Sequence, residues 1–420
     1  MRVLLVTTGS HGDINPFIAL GRALAARGHD PVLVTNPYYE GQAREAGVGF
    51  RGVGEFFDLR KLDELMPDIM HPWKGGRVVI ETLIDRFARE SYPVVLEELR
   101  GGRFDAVVHH HIALGAAWAA ETAGVPNASA VLAPMLWMSR GDPITPQSFS
   151  PVNPGPITRW LTRAMFRPFS WLIFDPVIRR VRRDLGLPRD PGGFFRVARG
   201  GVVNLGLWSP VLRGPLPDDP AQGVICGFPW HDRHGAQEEP DARLEAFLAE
   251  GEPPVLFTLG TAAVHVAGDF YAVAAEACRK LGRRGLMLVG PGRPAPGNLP
   301  AGSMAVEYAR FSSVMPRCAV NVHHGGIGST GQGLRAGRPT VVVPHSHDQF
   351  DNAARLVRLG VSATLPRPKV TPERLAAAVR GLLEDGGVAG RAAGLGRAMA
   401  GEEGAAAAVE AVERSVKGRV

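Results

Sequence analysis

Three cysteines in 420 residues, Cys226, Cys278 and Cys318, are too few and too far apart to staple a disulfide scaffold or to share a metal. They imply buried thiols in a reducing compartment, and the cytoplasm is the expected location. No apolar run approaches the ~18 residues needed to span a bilayer. The amino terminus, Met1-Arg2-Val3-Leu4-Leu5-Val6, reads straight into a strand and a turn at Gly9, without the small-residue cleavage site of a secretory leader. No Asp-x-Asp pair offers a divalent cation a carboxylate clamp, so no metal and no resident cofactor is expected. A strong charge of one sign is missing too. The formal charge is +6, and seven arginines against one acid, Asp175, between Arg159 and Arg183 account for a local excess of that size. The remainder is near neutral, which excludes a broad nucleic-acid footprint and leaves one basic patch to explain.

What is present is a globular composition, 45% apolar and 21% charged, in a chain long enough for two ordinary domains. Arg2 to Thr8 reads as a strand, Pro16 to Arg27 as a helix with apolar Phe17, Leu20 and Leu24, and Pro31 to Thr35 as the next strand. Strand, helix and strand in that span form a βαβ unit, which implies a parallel sheet. The alternation continues through a strand at Val48–Arg51, a long helix from Val78 to Leu99, a strand at Phe104–Val108 ending in His109-His110-His111, a helix at Ala113–Ala123 and a strand at Asn127–Val131. From Pro134 to Pro191 the pattern is irregular, rich in proline and aromatics, and the sheet resumes at Gly201–Leu205. Leu212 to Glu239 has many prolines and glycines and no periodicity, which marks a linker. Pro254–Gly260 then opens a second alternating set. The expected division is 1–211, a linker at 212–240, a second domain at 241–400 and a terminal helix at 401–420. Two doubly wound α/β domains have strand ends facing a shared cleft.

The second set contains His323-His324-Gly325-Gly326-Ile327-Gly328-Ser329-Thr330, between an apolar strand and a helix through Gln332. Free backbone N–H groups at a glycine-rich helix start form an anion site, most often for phosphate. Ser329 and Thr330 add hydroxyl donors or cap the helix. The next apolar run, Thr340 to Pro344, delivers His345-Ser346-His347-Asp348-Gln349. Gly326 to Gly331 also satisfies the dinucleotide fingerprint, but that motif normally follows the first strand of its domain, and about 70 residues of βα structure precede it here.

With Gly268-Asp269-Phe270-Tyr271 and His347 to Ala353, these residues resemble the family 1 nucleotide-sugar glycosyltransferases of the GT-B fold, two Rossmann-like domains facing a cleft. Within that family the chain looks like the rhamnolipid-type rhamnosyltransferases and the sterol and antibiotic glycosyltransferases. The resemblance runs from the first strand to the last helix and is weak between about Glu55 and Val202. It implies an inverting O-glycosyltransferase that moves a hexose from a UDP- or dTDP-sugar to a hydroxyl of a hydrophobic acceptor, with no metal. A catalytically silent helper of the same fold, or a nucleotide-sugar 2-epimerase, is the alternative. The terminal helix would cross back onto the first domain.

Residue by residue, the resemblance makes His324 the diphosphate ligand, with Gly325, Gly326, Gly328, Ser329 and Thr330 around the phosphates, while His323 is structural. Gln332 stands where relatives often carry a ribose-binding carboxylate. Asp348 and Gln349 match the pair that holds sugar hydroxyls, which suits a carboxylate that accepts and an amide that does both. Tyr308, Arg310 and Phe311 resemble the segment that stacks on the base, and Thr258, Gly260 and Thr261 end the domain's first strand near the phosphates or sugar. Ser10 and Gly12 belong to the opposing turn, Gly9 to Pro16. The family's catalytic histidine stands three residues before the proline of that turn. Here that position is Asp13, with a histidine two residues earlier at His11. An imidazole with a pKa near 6.5 is the better base at neutral pH unless burial raises an aspartate from near 3.9, so His11 acting with Asp13 is expected, with helix capping as the competing role for both. His109-His110-His111 alternate across a strand, a poor metal geometry, and are expected to line the acceptor cleft. Arginines interleave with Trp160, Phe166, Phe169, Trp171 and Phe174, which reads as an acceptor lid, a peripheral contact with the inner membrane surface through Arg159–Arg183, or a solvated helical pair.

Overall fold

A computed structural model describes residues 1–55, 63–71, 73–145, 155–190, 193–231, 241–297 and 299–418. Two separate sheets organise them. The first has β1 (Arg2–Val6), β2 (Asp30–Thr35), β3 (Gly49–Gly52), β4 (Ala106–His110), β5 (Asn127–Val131), β6 (Val203–Gly206) and β7 (Gly223–Ile225) in the order β3-β2-β1-β4-β5-β6-β7. The second has β8 (Val255–Thr258), β9 (Gly285–Leu288), β10 (Met304–Val306), β11 (Val320–His323), β12 (Thr340–Val342) and β13 (Ser362–Thr364) in the order β10-β9-β8-β11-β12-β13. Every pairing is parallel. This is the α/β, GT-B-type pair of doubly wound sheets. Both central strands are buried along their length, as parallel strands covered by helices on two faces must be.

Strand order reverses beside β1 in one sheet and beside β8 in the other, and the carboxyl ends there open onto a common cleft. Register controls what reaches it. Val6 pairs with His109, and Thr258 with His323, so the two histidine runs leave their sheets next to the first turn of each domain.

Three features depart from the sequence reading. The expected linker supplies β7, which pairs with β6 through Asn204–Gly223, Leu205–Val224 and Gly206–Ile225, while residues 232–240 of it lie outside the described residues. The irregular stretch contains one unbroken helix, Pro156–Asp184, 29 residues long. In the sequence its arginines and aromatics follow no 3.6-residue stripe, so periodicity did not betray it. The side chains of Arg159, Arg163, Phe166, Arg167, Phe169 and Trp171 lie outside the described part, whereas Ile157, Trp160, Leu161 and Leu172 are exposed. Finally, the short helix Met66–Ile69 comes from the first domain's chain but packs, with Met70, into the core of the second.

The domains are also joined behind the cleft. Arg355 is buried and donates both terminal nitrogens to Asp142, at 2.9 and 2.8 Å, and its Nε to Asp351 at 2.7 Å. Asp351 in turn accepts from the Thr145 backbone N–H at 2.8 Å. The last helix, Gly404–Lys417, lies against the helix His11–Ala26 and contributes Ala408, Val409, Ala411 and Val412 to the core of the first domain. Glu413 accepts there from Arg27 (3.0 and 2.9 Å) and meets His29 at 2.6 Å.

Candidate active site in the interdomain cleft

The cleft encloses about 1740 Å³ between the two sets of strand ends. On the first domain, β1 runs into Gly9, whose φ of +123° suits glycine, and a Cβ there would strike the Asp13 carboxylate. Ser10 caps the helix His11–Ala26 and shares a capping box with Asp13: the Gly12 N–H donates to Ser10 Oγ at 3.3 Å, while Asp13 Oδ2 accepts from Ser10 N at 2.8 Å and Ser10 Oγ at 3.2 Å. Among the described residues both bonds go to Oδ2 and none to Oδ1. Burial pushes the Asp13 pKa up to about 6, against the lowering effect of the Ser10 bonds. The expected His11–Asp13 partnership has a different geometry. Residues two apart on a helix do not face one another. The His11 ring instead packs edge-on against Tyr39 at 5.2 Å and Tyr38 at 6.1 Å.

Facing this turn, β11 ends in two histidines with different surroundings. His323 Nδ1 accepts from the Gly325 N–H at 3.0 Å, which fixes the tight turn at Gly325 (φ +87°). His324 is wedged between Gly260 and Gly326, where a Cβ on either glycine would collide with its ring. Its Nδ1 is buried without a hydrogen-bond partner, and burial holds its pKa well below 6.5, so the imidazole is neutral. The helix Ile327–Arg335 starts beside it with Gly326 as N-cap and no side-chain cap. Its first intrahelical bond runs from Thr330 N to Gly326 O, which leaves the N–H groups of residues 327 to 329 for a ligand.

Asp348 completes this wall. Burial, helped by the charges of Asp13 and Asp351, raises its pKa to about 7, while an Asn352 bond pulls it down. Its carboxylate accepts from Asn352 Nδ2 at 2.8 Å, and the same nitrogen donates to Gly325 O at 2.9 Å. Gln349 Oε1 accepts from the His345 and Ser346 N–H groups at 2.8 and 3.2 Å, so its amide nitrogen alone is left to donate to a ligand. Thr258 Oγ1 accepts from Gly260 N at 3.2 Å and holds that turn.

Most of the residues read from the sequence line this one cavity: Ser10, His11, Gly12, Asp13, Thr258, Gly260, Thr261, Tyr308, Phe311, His324, Gly326, Gly328, Ser329, Gln332, Asp348 and Gln349. Gly325, Thr330 and Arg310 do not. Thr330 is buried behind the turn and donates its hydroxyl to Gly325 O at 3.3 Å, so neither it nor Ser329 caps the helix. Arg310 is the N-cap residue of the short helix Phe311–Val314. Of the three histidines at the end of β4, His110 and His111 line the cavity and His109 does not. Among the described residues no group of three His, Cys, Asp or Glu side chains is placed to hold a metal.

Comparison with known proteins follows from this geometry. Residues 3–132 match the glycosyltransferase family 28 N-terminal domain, and residues 288–414 match the erythromycin biosynthesis protein CIII-like C-terminal domain. The O-mycaminosyltylonolide 6-deoxyallosyltransferase of Streptomyces fradiae is 33% identical over 422 residues, covering 96% of this chain and 95% of that protein. The chain belongs to the GT-B glycosyltransferases of family 1.

This glycosyltransferase is also 27% identical to the sterol 3-beta-glucosyltransferase UGT80B1 of Arabidopsis thaliana, over 99% of the chain and 68% of that protein. Its fold matches the spinosyn rhamnosyltransferase SpnG complexed with thymidine diphosphate, with a TM-score of 0.67, 22% identity and coverage of 98% and 100%. It is therefore of the natural-product and sterol type. Sequence reasoning missed parts of its cleft. Asn352 ties the glycine turn to Asp348, and its place one helical turn after Asp348 was the available signal. Ile80, Ile84, Phe87 and Phe194, which carry no motif, form an apolar wall with Met135 and with Phe174, the latter read from the sequence as part of an acceptor lid.

Proposed function

We propose that this glycosyltransferase moves a hexose from a UDP- or dTDP-sugar to a hydroxyl of an apolar acceptor, in one inverting displacement and without a metal. The observation that carries the reading is the opposition of Asp13, with a raised pKa and an unbonded Oδ1, to the uncapped helix start and neutral His324 across the cleft. The diphosphate lies on the N–H groups of residues 327 to 329, with His324 donating one hydrogen bond. Asp348 and the Gln349 amide hold sugar hydroxyls, and Tyr308 and Phe311 flank the base. Asp13 Oδ1 takes the acceptor proton, the acceptor oxygen forms a bond to the anomeric carbon, and the bond from that carbon to the diphosphate breaks, the electron pair leaving with the phosphate oxygen. A carboxylate with a pKa about 6 is ionised at neutral pH and basic enough to accept that proton. His11, beside the two tyrosines, positions the acceptor.

A dTDP-linked donor is favoured by the solved neighbour that binds thymidine diphosphate, and an apolar acceptor by the lining of the first domain's side of the cleft. Peripheral membrane contact through the helix Pro156–Asp184 belongs to the same reading, supported by exposed Ile157, Trp160, Leu161 and Leu172 in an arginine-rich segment. The test is a donor-by-acceptor screen by mass spectrometry. Glycosylated product that requires a lipophilic alcohol is expected. Conversion of the donor sugar with no acceptor present would identify an epimerase, and no turnover of any pair would identify a silent relative.

A further inference from the structure

We infer that His110 and His111 form a polar subsite in the apolar acceptor chamber that hydrogen-bonds a second oxygen of the acceptor, separate from the hydroxyl that is glycosylated. The inference rests on the acceptor reading above and narrows it. Both residues line the cavity, at the end of β4 next to the strand that delivers the Asp13 turn. His110 is 1% exposed, and among the described residues neither of its ring nitrogens has a hydrogen-bond partner. His111 is 8% exposed, and its Nδ1 has none. The Thr8 and Ala130 backbones lie near the two rings, outside hydrogen-bond geometry. The rings meet each other edge-on at 4.3 Å, and otherwise they touch aromatics: Phe17 at 5.8 Å from His110 and Phe194 at 6.1 Å from His111.

Buried polar atoms in native proteins are nearly always satisfied, so unpartnered nitrogens on a cavity wall mark where a ligand or an ordered water supplies the missing bond. Their neighbour His109 does not line the cavity; its Nδ1 donates to the His110 carbonyl at 3.2 Å, while its buried Nε2 also lacks a partner among the described residues. Burial and mutual repulsion keep His110 neutral, and burial does the same for His111. A neutral imidazole offers one donor and one acceptor, which fits a hydroxyl or carbonyl and fits neither an anion nor a cation. Adjacent strands lie ~4.8 Å apart, so the second oxygen stands only a few bonds from the one that attacks. A skeleton with 1,2- or 1,3-related oxygens satisfies this; a lone ring hydroxyl does not.

The test uses dodecan-1-ol against dodecane-1,2-diol and dodecane-1,3-diol, with UDP-glucose and dTDP-rhamnose as donors. The intact enzyme should prefer at least one diol by about tenfold or more in kcat/KM, because a site built to bond a hydroxyl discriminates against its absence. The His110→Phe, His111→Phe variant should lose that preference, read as the ratio of diol to dodecan-1-ol kcat/KM, while keeping nucleotide affinity. His110→Asn and His111→Gln, which keep a donor and an acceptor, should restore part of it. In parallel, ring ¹⁵N resonances of His110 and His111 are followed while the UDP complex is titrated with each alcohol, and with zinc sulfate. Diol-specific shifts without turnover would uphold the subsite and sink the glycosyl-transfer reading. Turnover with equal use of alcohol and diols, shifts with zinc alone, or an equal loss of all acceptors in the variants would overturn the subsite.

Discussion

The two walls of the cleft leave different polar atoms open. On the second domain the groups around the glycine turn are braced by the protein, Gln349 by two backbone N–H groups, Asp348 by Asn352, and the turn by His323 and Thr330. The N–H groups of residues 327 to 329 and His324 Nδ1 stay open there among the described residues. On the first domain the Asp13 turn is held equally well, but the chamber beyond it is apolar and the His110 nitrogens have no hydrogen-bond partner among the described residues. In the function proposed above, the second domain's open groups meet one invariant unit, a nucleoside diphosphate, and its binding gains from donors fixed in advance. The His110 nitrogens stand in the chamber proposed for the acceptor, so the specificity proposed there rests on the bonds an acceptor completes.

Removing the one preset group on the acceptor side should have the largest effect. Asp13→Asn is expected to lower kcat by ~10²–10⁴ with nucleotide affinity kept, since that is the usual loss for a general base. His11→Ala should lose clearly less; the reverse order would return the base to the imidazole. The pH profile checks the same assignment. With a pKa about 6, Asp13 is protonated below that pH, so wild-type kcat should fall as pH drops through 6 and the Asn variant should lack that limb. The stability sign is opposite. A carboxylate raised by burial stabilises the fold while protonated and loses that contribution as pH rises from its unfolded value near 4 through 6.

Next in size is the joint that keeps the walls in register. Arg355→Met leaves buried Asp351 without its guanidinium and Asp142 with Arg213 alone at 3.5 Å, which should cost about 3–5 kcal/mol, seen as a lower denaturation midpoint. An unchanged midpoint would mean that water enters the joint. On the donor wall, His324→Ala should weaken UDP or dTDP binding by ~1.5–3 kcal/mol, roughly 10- to 150-fold, measured by calorimetry. Equal affinities would make His324 a spacer between its two glycines. The smallest effect is expected from excess chelator, which should leave the rate unchanged. A loss restored by magnesium would replace the donated hydrogen bonds with a cation.

The donor wall was legible because its signals are local. A strand, a glycine turn and a helix start carry their geometry in a few consecutive residues, and the two parallel sheets follow from repeating that unit. What stayed hidden depends on distant contacts. Nothing near Asp13 in sequence reveals that burial lifts its pKa to about 6, and that value is the reason we propose the carboxylate as the base in place of His11. Arg310 and Thr330 sit inside the right motifs, but one caps a turn and the other braces it from behind. The strand Gly223–Ile225 is three residues in a proline-rich stretch, stabilised by pairing with β6 instead of by its own propensity.

The crossing helix Gly404–Lys417 matters to anyone recombining such enzymes to obtain new sugar and acceptor pairings. A crossover placed in the linker would attach one parent's terminal helix to the other parent's first domain, where Ala408, Val409 and Val412 must fit a foreign surface and Glu413 must find Arg27 and His29. A hybrid that keeps residues 404–417 from the parent of its first domain, through a second crossover after Met399, preserves that surface as one inherited unit. Such a hybrid still has to match Asp142 to Arg355, so the exchangeable block is defined by two contacts far apart in sequence.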